Sequence, residues 1–188
     1  MRTRSHGKPE GIDARFSRLF LNHYDEVLGF CVRRTNRSEA EDVAAEVYAT
    51  AWRRIDDLDW DMARPWLFGI ARGLLSNQRR SITRRLRLTQ KVGSLAEPTV
   101  ESPDVVVIRR EQDQQVMDAL AELRDGDREI LMLAVWEELT APEIAVVLDI
   151  SVSAAEQRLH RAKQRFSTIL ERFPAQVSPR AAKKGGER

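Results

Sequence analysis

Cysteine, histidine and long apolar runs are scarce in this sequence. One cysteine, Cys31, and three histidines stand among 188 residues. A single cysteine cannot close an internal disulfide bond, which fits a reducing cytoplasm. No apolar run reaches the length of a membrane span, and the opening residues MRTRSHGKPEG lack the apolar core of a signal peptide. We therefore expect a soluble cytoplasmic protein that does not insert into membranes.

The residues that usually carry enzyme chemistry are missing or scattered. His6, His23 and His160 are far apart, and His23 shares a helix face with one further metal ligand, Cys31. Two ligands do not complete a zinc site. The sequence has no glycine-rich phosphate loop and no nucleophile elbow. The expectation is a protein without catalytic residues, metal or cofactor.

Charge is abundant and unevenly distributed, although the formal net charge is only +2. Between Arg72 and Lys91 there is no acidic residue. Residues 39–61, in contrast, are rich in acids, and their only bases are Arg53 and Arg54. This division predicts two surfaces with different partners, one of which is a polyanion.

Helical periodicity dominates the first half of the chain, without a strand pattern or an internal repeat. Apolar residues at three-and-four spacing over residues 16–31 predict a first helix. A capping box at Ser38–Glu41 predicts the start of a second helix, with a core stripe over residues 43–55 that includes Trp52. The segment DDLDWDMA, residues 56–63, is interpreted as a loop. Pro65 then begins a third helix that passes into the arginine-rich run.

A linker is predicted where QKVGSLAEPTVES loses the periodicity and gains glycine, proline and serine. Helical pattern returns after Pro103, with a turn and a helix cap at Asp125–Asp127. The sequence therefore predicts an all-α fold of two small helical domains. Its expected parts are a first domain, a flexible linker, a second domain and a disordered tail, at residues 12–89, 90–102, 103–173 and 174–188.

The stretch LTAPEIAVVLDISVSAAEQRLHRAKQRF, residues 139–166, has the pattern of two short helices around a tight turn. Thr140–Glu143 forms a capping box, Asp149 suits a left-handed turn position, and Ser151 or Ser153 caps the second helix. This pattern is typical of a helix-turn-helix, whose second helix can enter the major groove of DNA. The alternative is an ordinary helical hairpin with a solvated polar face.

The second helix of that pair has one polar face if its apolar residues face the core. The expected outward residues are Ser153, Glu156, Gln157, His160, Arg161 and Gln164. Arg158, Lys163 and Arg165 then lie where DNA phosphates run. Glu156 opposes DNA binding because phosphate repels a carboxylate, unless Glu156 completes a capping box with Ser153.

Three pieces in a fixed order resemble one protein family. They are EAEDVAAEVYATAWRRI, RPWLFGIARGLLSNQRR and, after the linker, ALAELRDGDREILMLAVWEELTAPEIAVVLDIS with RLHRAKQRF. Together they resemble the extracytoplasmic-function sigma factors of bacterial RNA polymerase, of the sigma-70 family, from about Phe16 to about Leu170. The resemblance implies a factor that binds core polymerase, directs it to specific promoters and helps to open the −10 region.

The resemblance implies that the helix matching Ser38–Ile55 binds the coiled coil of the polymerase β′ subunit; the β subunit is a further implied contact. The implied polymerase-binding residues are Glu41, Asp42, Glu46, Thr50 and Trp52. Ala45 stands where the family commonly has glutamine, which removes one polar contact. Without the resemblance, a solvated acidic helix face explains the same residues.

The resemblance also implies a −10 promoter site. The loop Asp56–Arg64 matches the element that captures a flipped base, and the helix Trp66–Arg85 matches the part that lies along the separated strand. The implied contacts are Trp60, Asp61, Arg72, Asn77, Arg79, Arg80 and Arg84. Trp60 can stack on an unpaired base. Its alternative role is a hydrophobic lid over the helices.

In the second domain the resemblance implies a −35 promoter site. The implied contacts are Ser153, Glu156, Gln157, Arg158, His160, Arg161 and Arg165. The family often has glycine at the position of Ser153 and a basic residue at the position of Glu156. These departures leave the promoter sequence and the docking angle open.

Sigma factors of this type are commonly held by an anti-sigma factor, so the resemblance implies such a partner beside core polymerase and promoter DNA. The alternative function is a two-domain helix-turn-helix transcriptional regulator that does not bind polymerase. A receiver domain would need alternating strands and helices, which the first half lacks. Cys31 lies on an apolar stripe, which favours a buried structural thiol over a redox switch.

Overall fold

A computed structural model describes residues 11–90 and 111–172, and every regular element in those two ranges is helical. The α-helices are α1 Ile12–Val32, α2 Arg37–Arg53, α3 Ala63–Gln90, α4 Glu111–Glu122, α5 Asp125–Val135, α6 Ala141–Leu148 and α7 Val152–Leu170. The predicted all-α fold is confirmed. Gln90, predicted as the first linker residue, is the last residue of α3, while the rest of the predicted linker and the predicted tail lie outside the described residues.

Helices α1 to α3 form the first module, and their apolar stripes meet in its core. The predicted inward face of α1 is confirmed for Leu19, Val27 and Cys31, each 0% exposed. Phe30 of α1 and Phe68 of α3 are also fully buried, and their stacked rings have centroids 4.6 Å apart. Phe30 lies off the three-and-four spacing predicted for α1, and it is buried because α1 contacts both α2 and α3.

The start of α2 differs from the prediction. Asn36 is the N-cap, and its Oδ1 accepts a hydrogen bond from the Glu39 backbone N–H at 3.0 Å. Asparagine caps a helix as well as serine does, so the helix begins before Ser38 and the predicted Ser38–Glu41 capping box is wrong. Glu41 instead pairs with Arg37 one turn earlier, at 3.2 Å.

The segment between α2 and α3 is not the predicted loop. It forms two short 3₁₀ turns, Ile55–Asp57 and Trp60–Met62. The side chain of Asp59 caps the second turn, accepting a hydrogen bond from the Asp61 backbone N–H at 3.1 Å. Leu58, between the two turns, is buried in the core. The segment that carries the tryptophan is therefore anchored by backbone geometry and by burial.

Helices α4 to α7 form the second module. Arg124 occupies the N-cap position of α5 without a capping side-chain bond, so the cap predicted within Asp125–Asp127 is wrong. The aspartates of that segment lie in the first turn, where carboxylates complement the helix dipole. Arg128 ties α5 back to the end of α4, donating to the carbonyl oxygens of Leu120 at 2.8 Å and Leu123 at 3.0 Å.

The predicted helix-turn-helix is confirmed in α6, the turn and α7. The Thr140–Glu143 capping box is present, and Asp149 adopts the left-handed conformation with φ 53° and ψ 55°. Ser151 caps α7, accepting a hydrogen bond from the Ala154 backbone N–H at 3.2 Å, so Ser153 is not the cap.

The two modules pack against each other within the described residues. Helix α3 contacts α6, and the buried side chains of both modules form one continuous apolar cluster. At Gly69 the two helices approach closely, because a Cβ there would lie 3.7 Å from the Val146 carbonyl oxygen and from the Val147 Cα. Position 69 therefore accommodates a methyl group but not a large side chain.

Candidate promoter and polymerase interfaces

Helix α7 directs its polar stripe outwards, as predicted. Ala155 and Ala162 are buried, and Leu159 and Phe166 pack against the core. The predicted −35 residues are all exposed: Ser153, Glu156, Gln157, Arg158, His160, Arg161 and Arg165. A helix with a narrow apolar face and a continuous exposed polar stripe can enter a major groove with its side chains at the base edges.

Two residues of α7 have surroundings that the sequence did not indicate. Because Ser151 is the cap, no Ser153–Glu156 capping box forms, and that interpretation of Glu156 is wrong. Glu156 is left as an exposed carboxylate that repels phosphate. Arg165 pairs with Asp127 of α5, with 2.5 Å between Nη1 and Oδ2. Arg165 therefore braces α5 against α7, and its contact with DNA stays a prediction.

The arginine face of α3 forms one wall of a cleft between the modules, with a volume of about 570 Å³. The predicted −10 residues in this wall are Arg72, Arg79, Arg80 and Arg84. The α5 side of the cleft carries Asp125 and Glu129. Asn77 is exposed but does not line the cleft. The structure thus gathers the basic part of the predicted −10 site and sets carboxylates of the second module opposite it.

Trp60 is half-buried on the second 3₁₀ turn and packs against the core. The guanidinium carbon of Arg18 lies 4.1 Å from its ring centroid, and that of Arg15 lies 5.9 Å away. Arg15 is held in turn by Asp56 at 2.8 Å. A ring that attracts a cation offers the same π-face on which a base stacks. Both the stacking role and the lid role of Trp60 therefore stay predictions. The next residue, Asp61, is exposed, and its predicted contact with DNA also stays a prediction.

The acidic face of α2 is open to solvent. The predicted polymerase-binding residues Glu41, Asp42, Glu46 and Trp52 are exposed, and Thr50 is half-buried. Trp52, expected in the core stripe, is 43% exposed and its ring lies edge-on to Phe16, with centroids 4.9 Å apart. The core assignment of Trp52 is therefore wrong. An acidic helix face with an exposed tryptophan suits a protein partner better than it suits DNA.

Cys31 is a free thiol in the core of the first module. Burial raises its pKa to about 11, although the nearby Arg34 and Arg33 act in the opposite direction. A thiol that stays protonated at neutral pH is a poor nucleophile. The predicted burial of Cys31 is confirmed.

The described ranges hold no group of side chains that could bind a metal ion. Within the same ranges, no helix is both long and apolar enough to span a membrane.

The residues that sequence reasoning missed lie where the modules meet. Glu137, just after α5, is only 1% exposed and pairs with Arg33 and Arg34 from the end of α1. Two features of the sequence could have indicated this buried ion pair. One is the acid Glu137 within the mainly apolar stretch LMLAVWEELTAPEIAVV, and the other is the pair of adjacent arginines after the apolar stripe of α1.

Comparison with known proteins identifies both modules. The sigma-70 region 2 model matches residues 19–85, and the sigma-70 region 4 model matches residues 113–166. The first match falls on α1 to α3, and the second falls on α4 to α7. The two matches keep the order of the modules along the chain.

Relatives that match over more than two thirds of the chain agree with these matches. The RNA polymerase sigma factor CnrH of Cupriavidus metallidurans is 32% identical over 149 residues, which cover 71% of this chain and 74% of CnrH. The ECF RNA polymerase sigma factor SigM of Bacillus subtilis is 28% identical over 156 residues, covering 82% of this chain and 94% of SigM.

Among solved structures, the sigma factor RpoE of Bartonella quintana, in a co-crystal with the anti-sigma factor NepR, matches with a TM-score of 0.59. It is 20% identical and covers 83% of this chain and 96% of RpoE. At this identity the likeness concerns the fold.

The two packed helical modules and the exposed stripe of α7 define a DNA-binding protein of the helix-turn-helix class. With the region matches and the CnrH identity, the family follows. The chain belongs to the extracytoplasmic-function sigma factors of the sigma-70 family.

Proposed function

We propose that the protein is an alternative sigma factor, which binds core RNA polymerase, directs it to specific promoters and helps to open the −10 region. The observation that carries this proposal is the presence in one chain of an exposed polar stripe on α7 and an arginine face on α3. A duplex reader and a set of phosphate-binding arginines are what recognition and strand opening require. Family membership supports the same function.

Each of the three surfaces, on α2, α3 and α7, has its own role in this function. The acidic face of α2 binds core polymerase, through the β′ coiled coil and with further contact to the β subunit. The arginines of α3 neutralise phosphates of the −10 strand, and Trp60 receives an unpaired base. The polar stripe of α7 reads the −35 element in the major groove.

Transcription in vitro with core polymerase tests the proposal. We expect transcripts whose start sites share −10 and −35 sequences, and little binding of the isolated protein to duplex DNA. The regulator alternative makes the opposite prediction: no new start sites with core polymerase and tight binding to duplex DNA without it.

The α2 interface has its own test, which is charge reversal of Asp42 and Glu46 to lysine. Like charges placed in an interface cost several kcal/mol, so we expect core binding at least about tenfold weaker with unchanged helix content. Reversal of the exposed Asp13 and Asp25 on α1 is the matched control, because it changes the net charge equally. Equal core affinity of the two double variants would remove α2 from the interface.

We also infer an anti-sigma partner and a location in the cytoplasm, where polymerase and promoter DNA are found. The resemblance to sigma factors held by such inhibitors supports this inference. The test is affinity capture with the tagged chain, followed by addition of each captured polypeptide to the transcription assay. An anti-sigma factor must suppress the transcripts at a molar ratio near one.

A further inference from the structure

The modules are joined at a buried cluster of charged side chains centred on Glu137. Its Oε1 accepts hydrogen bonds from Arg33 Nε at 3.1 Å and from Arg34 Nη1 at 2.9 Å, and its Oε2 pairs with the second arm of Arg33. Glu137 is 1% exposed and Arg34 is 5% exposed. Arg64 also donates to the Glu137 carbonyl oxygen at 2.9 Å. Glu137 therefore binds two guanidinium groups of the first module, and Glu129 Oε1, also of the second module, lies 3.7 Å from Arg34 Nε.

The first module positions Arg34 without help from Glu137. Arg34 Nη1 donates to the Phe30 carbonyl oxygen at 3.0 Å, and its guanidinium carbon lies 3.5 Å from the centroid of the Phe30 ring. The carbonyl oxygen of Arg34 accepts a hydrogen bond from Arg79 Nη2 at 2.9 Å. If Glu137 moved away, Arg34 would still be held as part of an anion site.

Arg34 connects this anion site to the predicted −10 surface, whereas Arg33 does not line the cleft there. Arg34 lines the same cleft as Arg72, Arg79 and Arg80. Its Nη2 is buried but has no hydrogen-bond partner. A backbone phosphodiester has two charged non-bridging oxygens, as a carboxylate does, and it matches a guanidinium equally well. The site is therefore suited to a DNA phosphate and only partly satisfied by Glu137.

The packed arrangement cannot serve both promoter elements, if the proposed function holds. Roughly 25 base pairs of B-form DNA between positions −35 and −10 extend over about 85 Å. A compact chain of this length has a radius of gyration of about 16 Å. Residues 91–110 can span about 70 Å at full extension. The modules must therefore separate on a promoter, and Glu137 must leave its arginines.

We propose that Glu137 closes the protein by occupying a phosphate site formed by Arg33 and Arg34, and that this pair binds a backbone phosphate of the −10 strand once the modules separate. Glu137 is thus an internal competitor of DNA. Closure lowers the apparent DNA affinity because only the open molecules bind, so this affinity is proportional to the open fraction. Removing one partner of a buried ion pair leaves the other charges uncompensated and strongly disfavours the closed state.

The test compares full-length Glu137→Gln with Glu138→Gln, in which the same charge is lost from an exposed neighbour. Small-angle scattering measures closure, and anisotropy of a labelled single-stranded oligothymidylate measures phosphate binding. We expect Glu137→Gln to expand the protein and to bind the oligonucleotide at least about tenfold more tightly. Glu138→Gln should match the wild type. A compact Glu137→Gln with unchanged affinity would overturn the proposal.

Arg34→Gln separates closure from phosphate binding. This variant also loses the ion pair, so it should expand, but it should gain less affinity than Glu137→Gln, because opening then uncovers only the arginines of α3. The double variant Arg34→Gln with Glu137→Gln should bind like Arg34→Gln. If the double variant binds as tightly as Glu137→Gln, Arg34 does not bind phosphate and that part of the proposal fails.

A large side chain at position 69 should separate α3 from α6 and open the protein without changing any charge. Gly69→Leu cannot fit at the α3–α6 contact, whereas Gly69→Ala makes an ordinary 3.7 Å contact. We expect expansion and tighter oligonucleotide binding for Gly69→Leu only, which keeps the proposal testable if Glu137→Gln does not fold. Tight binding by a compact Gly69→Leu would contradict it. These assays contain no polymerase, so their failure is distinct from a failure to transcribe.

Discussion

Helices α7 and α3 carry the two predicted DNA surfaces, and the structure presents them differently. The stripe of α7 from Ser153 to Arg161 is open to solvent. The arginines of α3 line a cleft whose opposite wall carries Asp125 and Glu129. The α7 surface is exposed in this arrangement, whereas the α3 surface faces carboxylates of its own chain. A basic helix can contact DNA only where no other part of the chain covers its charged side chains.

The difference has a physical origin in where each helix places its apolar residues. Helix α7 packs against α4, α5 and α6 of its own module, so its interior contacts leave the polar side free. Helix α3 contacts α1 and α2 on one side and α6 of the other module elsewhere. Its arginines therefore lie beside an interface between modules.

The largest expected effect is loss of −35 reading on the open surface. Gln157→Ala combined with Arg161→Ala removes two base-edge candidates, and each good base contact contributes about 1–3 kcal/mol of discrimination. We expect promoter use to fall by at least about tenfold, with no change in oligothymidylate binding. Ser167→Ala, exposed near the end of α7, is the control. Equal loss on promoters with and without a −35 element would remove α7 from sequence reading.

The second effect concerns Trp60 at the edge of the covered surface. If its ring stacks on an unpaired base, Trp60→Ala should cost roughly 1–3 kcal/mol in open-complex stability, while closed-complex binding stays near normal. Permanganate reactivity of thymines near the −10 element measures opening on duplex and premelted templates. Arg18→Ala is the control, because it removes the nearest cation from the face of the ring and keeps the ring itself. Normal opening by Trp60→Ala would assign the tryptophan to the lid role.

A smaller effect is expected at the start of the helix-turn-helix. The pKa of Glu143 is lowered, chiefly by its hydrogen bond with the Thr140 side chain. A carboxyl group with a lowered folded pKa stabilises the fold above its unfolded pKa of about 4.3, and this contribution is lost as the pH falls through the folded pKa. Glutamine can complete the capping box but lacks the charge that complements the helix N-terminus, so Glu143→Gln should cost roughly 0.3–1 kcal/mol at neutral pH.

Thermal melts at several pH values check this prediction. The difference between wild type and Glu143→Gln should shrink from neutral towards strongly acidic pH. Glu138→Gln, an exposed acid near the same helix, is the control for net charge. A difference that is independent of pH would mean that the capping carboxylate does not act through its charge.

The smallest effect is expected at a single arginine of α3. Arg80 is exposed and donates to the Ser76 carbonyl oxygen at 3.3 Å. Arg80→Ala should reduce the slope of log affinity against log salt by about 0.7 on single-stranded DNA. If the covered arrangement holds in solution, this change should be larger in Glu137→Gln than in the wild-type background. An identical change in both backgrounds would argue that α3 is already accessible.

The sequence was most informative where a feature depends on adjacent residues. The Thr140–Glu143 capping box, the left-handed Asp149 and the apolar face of α7 were all predicted correctly. Helix starts failed where several polar residues compete for the cap, as with Asn36 against Ser38. In such a run the final backbone path selects the cap, and the residue types alone do not.

The sequence by itself determined the all-α fold, the helix-turn-helix and the division of charge between α2 and α3. Periodicity and capping are local, so they survive in any arrangement of the modules. Only the tertiary structure decided that Glu137 meets Arg33 and Arg34 across more than a hundred residues. Periodicity reports which face of a helix is apolar, but the surface that covers it depends on packing between segments distant in sequence.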